Sequence, residues 1–133
     1  MKKNSFTSVQ KSNNGISRIT LNDPDTYNSM SFNMLNSFIS DFKVLDKDKK
    51  TRVIVIEGSG KGFSAGHNLK EVRSLKGKPN YQKLFDLCSK LMMIIINSNK
   101  PVIAKVHGAA FAAGCQLVAT CDLALSTNDA KFC

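Results

Sequence analysis

Two short β-branched runs constrain the fold of this chain most: Val53-Ile54-Val55-Ile56 and Val102-Ile103-Ala104-Lys105-Val106. Each is too short for a helix and reads as a strand buried on both faces. Each also runs into a loop of small residues, Gly62-Phe63-Ser64-Ala65-Gly66-His67 in the first case and Gly108 to Gly114 in the second. Between the two runs a polar loop is followed by Tyr81, Leu84, Phe85, Cys88, Leu91 and Met92 at helical spacing, and Pro101 closes that helix. Strand, helix and strand in this order form the crossover unit of a parallel sheet.

The flanking segments extend the pattern. Phe6 to Gln10 and Ile16 to Leu21 are β-prone runs joined by Ser12-Asn13-Asn14-Gly15, and the Asn-Gly pair favours a tight hairpin. Asn22-Asp23-Pro24-Asp25 ends the hairpin. Met30, Met34, Leu35, Phe38, Phe42 and Leu45 then mark a helix of about four turns with Ser31 as its N-cap. After the second strand, Ala113 to Ala119 reads as a helix and Asp122-Leu123-Ala124-Leu125 as a third strand. The expected class is α/β with a mostly parallel sheet.

The 133 residues match one domain, and 42% hydrophobic content supplies a core. Cys88, Cys115, Cys121 and Cys133 lack a C-x-x-C pair and a histidine cluster, so they read as free thiols of a reducing interior. The first ten residues, MKKNSFTSVQ, carry no apolar signal core, and the longest apolar run, Leu91 to Asn97, is too short to span a bilayer. The expected location is cytoplasmic, with no membrane partner. A net charge of +9 admits a polyanion or a phosphate-bearing ligand. The lysines, however, are scattered among asparagines, with only three arginines and no interleaved aromatics. Nucleic acid is therefore set aside.

Ligands of α/β sheets bind beyond the carboxyl ends of the strands. Two neighbouring loops there could each direct one backbone N–H at a single oxygen, which is how an oxyanion hole is built. The second loop enters a helix, whose first N–H groups have no partner within the helix. The segment Gly62-Phe63-Ser64-Ala65-Gly66 also fits the nucleophile elbow G-x-S-x-G. That motif requires a strand leading straight into the serine and a later Asp and His. Here Gly58 to Lys61 intervene and the last histidine is His107.

Taken together, Val53 to Gly58, Gly62 to Glu71, Lys100 to Ala104 and Gly108 to Asp122, with Leu21-Asn22-Asp23-Pro24 and Asn28, resemble the crotonase (enoyl-CoA hydratase/isomerase) superfamily. The Phe63–Glu71 and Gly114–Asp122 runs are most similar to its enoyl-CoA hydratase domain-containing protein 3 subgroup. The resemblance implies a crotonase-like spiral of ββα units, with residues 1–133 as the N-terminal part of a single such domain. It implies an acyl-CoA thioester as substrate and no metal or other cofactor. The implied oxyanion donors are the N–H groups of His67 and Ala113. Asp25, Thr26 and Tyr27 match the adenine-facing loop, and Ala65, Asn68, Leu69 and Lys70 the strip along which CoA lies, Lys70 being suited to its phosphates. Full-length relatives are expected to form homotrimers or hexamers.

The pattern departs from the hydratases at Gln116, which stands where they carry a glutamate, while their second glutamate would fall just beyond Cys133. The subgroup shares an A-A-G-C-Q-L run. Glutamine has no usable acid/base equilibrium near neutral pH, so Gln116 can orient a thioester or a water but cannot act as a base. As a purely structural residue it would be an amide satisfying a buried partner. Three functional readings stay open: a hydratase/isomerase-like enzyme of fatty-acid and acyl-CoA metabolism, a thioester hydrolase on the same fold, and an inactive acyl-CoA-binding relic or truncated product. An incomplete core with exposed apolar surface near Leu123 and Phe132, prone to association, is also expected.

Overall fold

The computed structural model describes residues 5–133, and Met1 to Asn4 lie outside the described residues. The hairpin consists of β1 (Thr7–Lys11) and β2 (Ile16–Leu21), paired antiparallel from Thr7↔Leu21 to Lys11↔Ser17. Its turn closes as the Asn-Gly pair suggests, with Gly15 N–H donating to Ser12 O at 3.3 Å and Ser12 N–H to Ile16 O at 3.0 Å. β2 then pairs in parallel with β3 (Val53–Gly58), β3 with β4 (Val102–Val106), and β4 with β6 (Leu123–Ser126), giving the order β1-β2-β3-β4-β6. Only β1 runs against the rest, so the sheet is mostly parallel as expected.

Helix α1 (Phe32–Lys47) connects β2 to β3. Ser31 caps it, its hydroxyl accepting from Met34 N–H at 3.1 Å, and Lys100 holds its other end by donating to Leu45 O at 2.6 Å and Asp48 O at 2.5 Å. A lysine there satisfies carbonyls that the helix leaves open and complements its dipole. Helix α3 (Lys78–Ile96) begins three residues before Tyr81, with Pro79 in its first turn, and ends at Asn97, short of Pro101. The core lies between α1, α3 and one sheet face. Phe38 and Phe42 of α1 pack at 6.5 Å beside Ile19, Leu21, Ile54, Ile56, Val102 and Ala104, all essentially buried.

Two expectations need correction, and one pairing lies outside them. β3 and β4 are not buried on both faces: Ile54 and Ile56, and Val102, Ala104 and Val106, point to the core, whereas Val53, Val55 and Ile103 are half-covered and Lys105 is exposed. The helices α1 and α3 cover one face, and among the described residues no helix of similar size covers the other. The segment read as a polar loop contains α2 (Leu69–Ser74), capped by Asn68, whose side-chain oxygen accepts from Glu71 N–H at 3.1 Å. A second, two-stranded parallel sheet joins β5 (Ala109–Ala110) to β7 (Lys131–Phe132), and no periodicity announced it.

Helix α4 (Ala113–Thr120) and β6 stand as expected. So does the exposed apolar surface at the open sheet edge, where Leu123 is 63% and Leu125 65% exposed, with Phe132 at 49% nearby. No helix among the described residues is long and apolar enough to cross a membrane.

Candidate functional site

The site grows from loops at the carboxyl ends of the parallel strands. Asn28, fully buried and in the left-handed region at φ 53°, is the clamp that gathers them. Its side-chain NH2 donates to the carbonyls of Ser59 (2.8 Å), Gly62 (3.0 Å) and Phe63 (3.2 Å), and its oxygen accepts from Asp23 N–H at 2.9 Å. A short polar side chain tolerates this backbone conformation and reaches both loops at once. The turn after β2 and the loop after β3 are thereby locked together.

Backbone bridges extend the clamp. Met30 pairs with His67, Ser64 with Ala110, and Ala110 with Phe132, so four segments lie side by side. Ser64 is fully buried; its N–H donates to Ala109 O at 3.0 Å, its carbonyl accepts from Phe111 N–H at 2.9 Å, and its hydroxyl donates to Asn28 O at 2.9 Å. A hydroxyl that is buried and committed to a carbonyl is no exposed nucleophile, which removes the serine-hydrolase alternative.

The entry to α4 is a β-turn across Phe111, Ala112, Ala113 and Gly114, closed by Gly114 N–H donating to Phe111 O at 2.8 Å. Ala112 takes φ 48° and ψ −120°, a conformation that favours glycine at the second position of a type II′ turn. In such a turn the N–H of the third residue points away from the ring. That residue is Ala113, and its N–H donates to no group among the described residues. The His67 N–H is likewise uncommitted, although its neighbours are engaged: Gly66 O accepts from Met30 N–H at 2.7 Å and Ala65 N–H donates to Tyr27 O at 2.9 Å.

Gly66 brings these two groups together. At φ 86° it lies against the α4 entry so closely that a Cβ would stand 2.8 Å from Phe111 O and 3.1 Å from the Ala113 nitrogen. Only glycine meets both demands, the positive φ and the close approach.

Beside these donors opens a groove of about 270 Å³ lined by Asp25, Thr26, Tyr27, Ser29, Ala65, His67, Asn68, Leu69 and Lys70. All seven residues expected along the ligand strip line it, joined by His67 and by Ser29. Sequence reasoning missed Ser29, whose hydroxyl bonds Thr26 at 2.9 Å. Asn68 lines the groove while its side-chain oxygen is spent on the α2 cap. Lys70 is exposed and makes no ion pair among the described residues. Tyr27, in the left-handed region and 49% exposed, stands at the rim.

Gln116 lies one turn along α4 from Ala113, outside the lining of this groove. It is exposed, and its side chain makes no hydrogen bond among the described residues, so it satisfies no buried partner. The structural role considered for it is therefore corrected. The α4 sequence AGCQLVAT contains no carboxylate.

Comparison with known proteins places the chain in a family. A family model described as enoyl-CoA hydratase/isomerase matches residues 11–133. Over 124 residues the chain is 43% identical to enoyl-CoA hydratase domain-containing protein 3, mitochondrial, of Xenopus laevis, covering 93% of this chain and 42% of that protein. Among solved structures, an enoyl-CoA hydratase of Mycobacterium smegmatis superposes with a TM-score of 0.93 at 44% identity, covering 96% of this chain and 49% of that one. Human enoyl-CoA hydratase domain-containing protein 3 superposes at 0.90 and 42% identity, covering 96% and 50%. The chain thus spans two-fifths to one-half of the relatives it matches, and the fold is the corresponding part of a crotonase-like α/β fold. On its sequence and on its architecture alike, the chain belongs to the enoyl-CoA hydratase/isomerase family.

Proposed function

We propose that these residues hold an acyl-CoA thioester in an enoyl-CoA hydratase/isomerase-type site, within fatty-acid and acyl-CoA metabolism. The thioester oxygen accepts from the N–H groups of His67 and Ala113. The CoA moiety follows the groove between Asp25, Thr26 and Tyr27 on one side and Ala65, Asn68, Leu69 and Lys70 on the other. The observation that carries this reading is the pair of uncommitted N–H groups on either side of Gly66. Donors held in place before the ligand arrives need no reorganisation when negative charge develops on the oxygen.

Gln116 orients the acyl group or a water by hydrogen bonding and takes no proton. What supports an altered or absent hydration step is the sequence of α4, which carries an amide at Gln116 and no carboxylate. Assembly as a homotrimer or hexamer is proposed for full-length relatives of this chain. The Xenopus relative is designated mitochondrial, whereas the cytoplasmic expectation for this chain rests on residues 1–10; fractionation of cells expressing the tagged protein separates the two.

The test is calorimetric titration with CoA and crotonyl-CoA, with loss of the enoyl chromophore followed in the same samples. Binding without turnover is the expected result, and absence of binding would overturn the reading. Gln116→Glu restores a carboxylate at the family position and is expected to introduce measurable hydration without weakening binding.

A further inference from the structure

The oxyanion role uses only the backbone of His67, and its imidazole is left over. His67 is one of the residues lining the groove, and its ring stands edge-on to Phe85 of α3, with centroids 5.1 Å apart and planes at 85°. Nδ1 is buried and is the one buried side-chain nitrogen or oxygen without a partner among the described residues. Nε2 makes no hydrogen bond among the described residues and, unlike Nδ1, is not sealed from solvent. A proton on Nδ1 would bury a donor with no acceptor, whereas a proton on Nε2 leaves only a lone pair inside and puts the donor where a ligand can meet it.

We infer that the His67 imidazole is a second ligand-binding group, whose Nε2–H donates to an acceptor oxygen of the pantetheine arm of a bound CoA. This rests on the proposed acyl-CoA site. If the His67 N–H holds the thioester oxygen, the far nitrogen of the same residue lies within one side chain's length of it, beside the groove that His67 lines. The ligand's next acceptors along that path are the pantetheine amide oxygens. A single N–H donor suits an amide carbonyl, while Lys70 is left for the phosphates. Phe85 holds the ring by its edge, and the empty Nδ1 fixes which nitrogen carries the proton.

The experiment compares wild type, His67→Phe and His67→Gln by calorimetry with CoA and with crotonyl-CoA, alongside long-range ¹⁵N–¹H spectra of ¹⁵N-histidine protein. Phenylalanine keeps a flat ring against Phe85 without the donor, and glutamine returns an N–H near the Nε2 position. The expected result is about tenfold weaker binding of both ligands in His67→Phe, the value of one good hydrogen bond, with most of it recovered in His67→Gln. The His67 signals should report an Nε2–H tautomer whose Nε2 resonance moves when CoA is added. Equal affinity of wild type and His67→Phe would overturn the inference while leaving the acyl-CoA site standing. An Nδ1–H tautomer, or a loss confined to crotonyl-CoA, would overturn it as well. If wild type binds neither ligand, the site itself falls and the inference with it.

Discussion

Gly114 of α4 stands against Ser64 so closely that a Cβ on the glycine would overlap the Ser64 carbonyl oxygen and approach the Ser64 Cβ to 2.9 Å. The obstacle is backbone already committed to Phe111 N–H at 2.9 Å, so no side-chain rotation relieves it. Gly114→Ala must therefore push α4 off the loop that carries His67. We expect a loss of about 1–3 kcal/mol in stability, the usual cost of overpacking. Crotonyl-CoA affinity should fall further than stability alone explains, because Ala113, whose N–H is the proposed donor to the thioester oxygen, is the preceding residue. Urea unfolding and calorimetry on the same preparation check both, and unchanged affinity would argue against the Ala113 N–H as a donor.

Asn28 offers a sharper contrast, because its NH2 faces three carbonyls. Asn28→Ala leaves those groups buried without a donor, at about 1–3 kcal/mol for each unsatisfied group that water does not reach. Asn28→Asp should be worse near neutral pH. It replaces the donor with an acceptor of like polarity and buries a charge where Asn28 is fully buried. Denaturant midpoints ordered wild type, Asn28→Ala, Asn28→Asp, from highest to lowest, are the expected outcome.

The strands, the long helices and the Ser31 cap were legible because each announces itself locally, through β-branched runs, helical spacing or a capping residue. The start of helix α2 is legible too. Asn68 and Glu71 stand at N-cap and N3, the spacing of a capping box, although Glu71 turns outward to accept from Phe32 N–H at 3.0 Å instead of closing on Asn68. The half-exposure of β3 and β4 was not legible, because a β-branched run looks the same whichever face is covered. Nor was the β5–β7 pairing, two residues long, whose partner is fixed only by the three-dimensional path of the chain. The ligand strip came from family resemblance. The uncommitted N–H groups and the empty Nδ1 of His67 needed coordinates, since a sequence does not say which backbone groups lack a partner.

Acid should loosen the far end of the sheet first. The Asp48 carboxylate accepts from Lys11 at 2.8 Å, from Lys50 N–H at 3.2 Å and from Thr51 at 3.0 Å, and these bonds, that of Lys11 foremost, lower its pKa from 3.8 to about 2. A group whose folded pKa is depressed contributes stability that is fully present above its unfolded value. That contribution is lost as pH falls from about 3.8 through about 2. The gap between wild type and Asp48→Asn in urea midpoint should therefore be constant above that window and shrink within it. Lys11 is half exposed, so added salt should narrow the gap at every pH. Glu57 acts in the same direction. Burial alone would raise its pKa, but the Lys105 ammonium at 2.9 Å and the Thr20 hydroxyl hold it below its ordinary value.

The open edge at β6 sets the behaviour of the chain in solution. A terminal strand exposes a row of unpaired backbone groups, and in β6 that row carries Leu123 and Leu125, both more than 60% exposed, beside Phe132. Natural edge strands are usually blunted by charge, proline or a covering element, and LALS has no charge and no proline. The isolated chain should therefore associate with rising concentration, seen by sedimentation velocity as a growing population heavier than a monomer. Leu123→Lys with Leu125→Lys should suppress this. Both side chains already face solvent, so the fold loses little while edge pairing is opposed by like charges. A wild-type chain that stays monomeric at every concentration and melts cooperatively would show that the exposed edge is tolerated, and would leave the substitutions without effect.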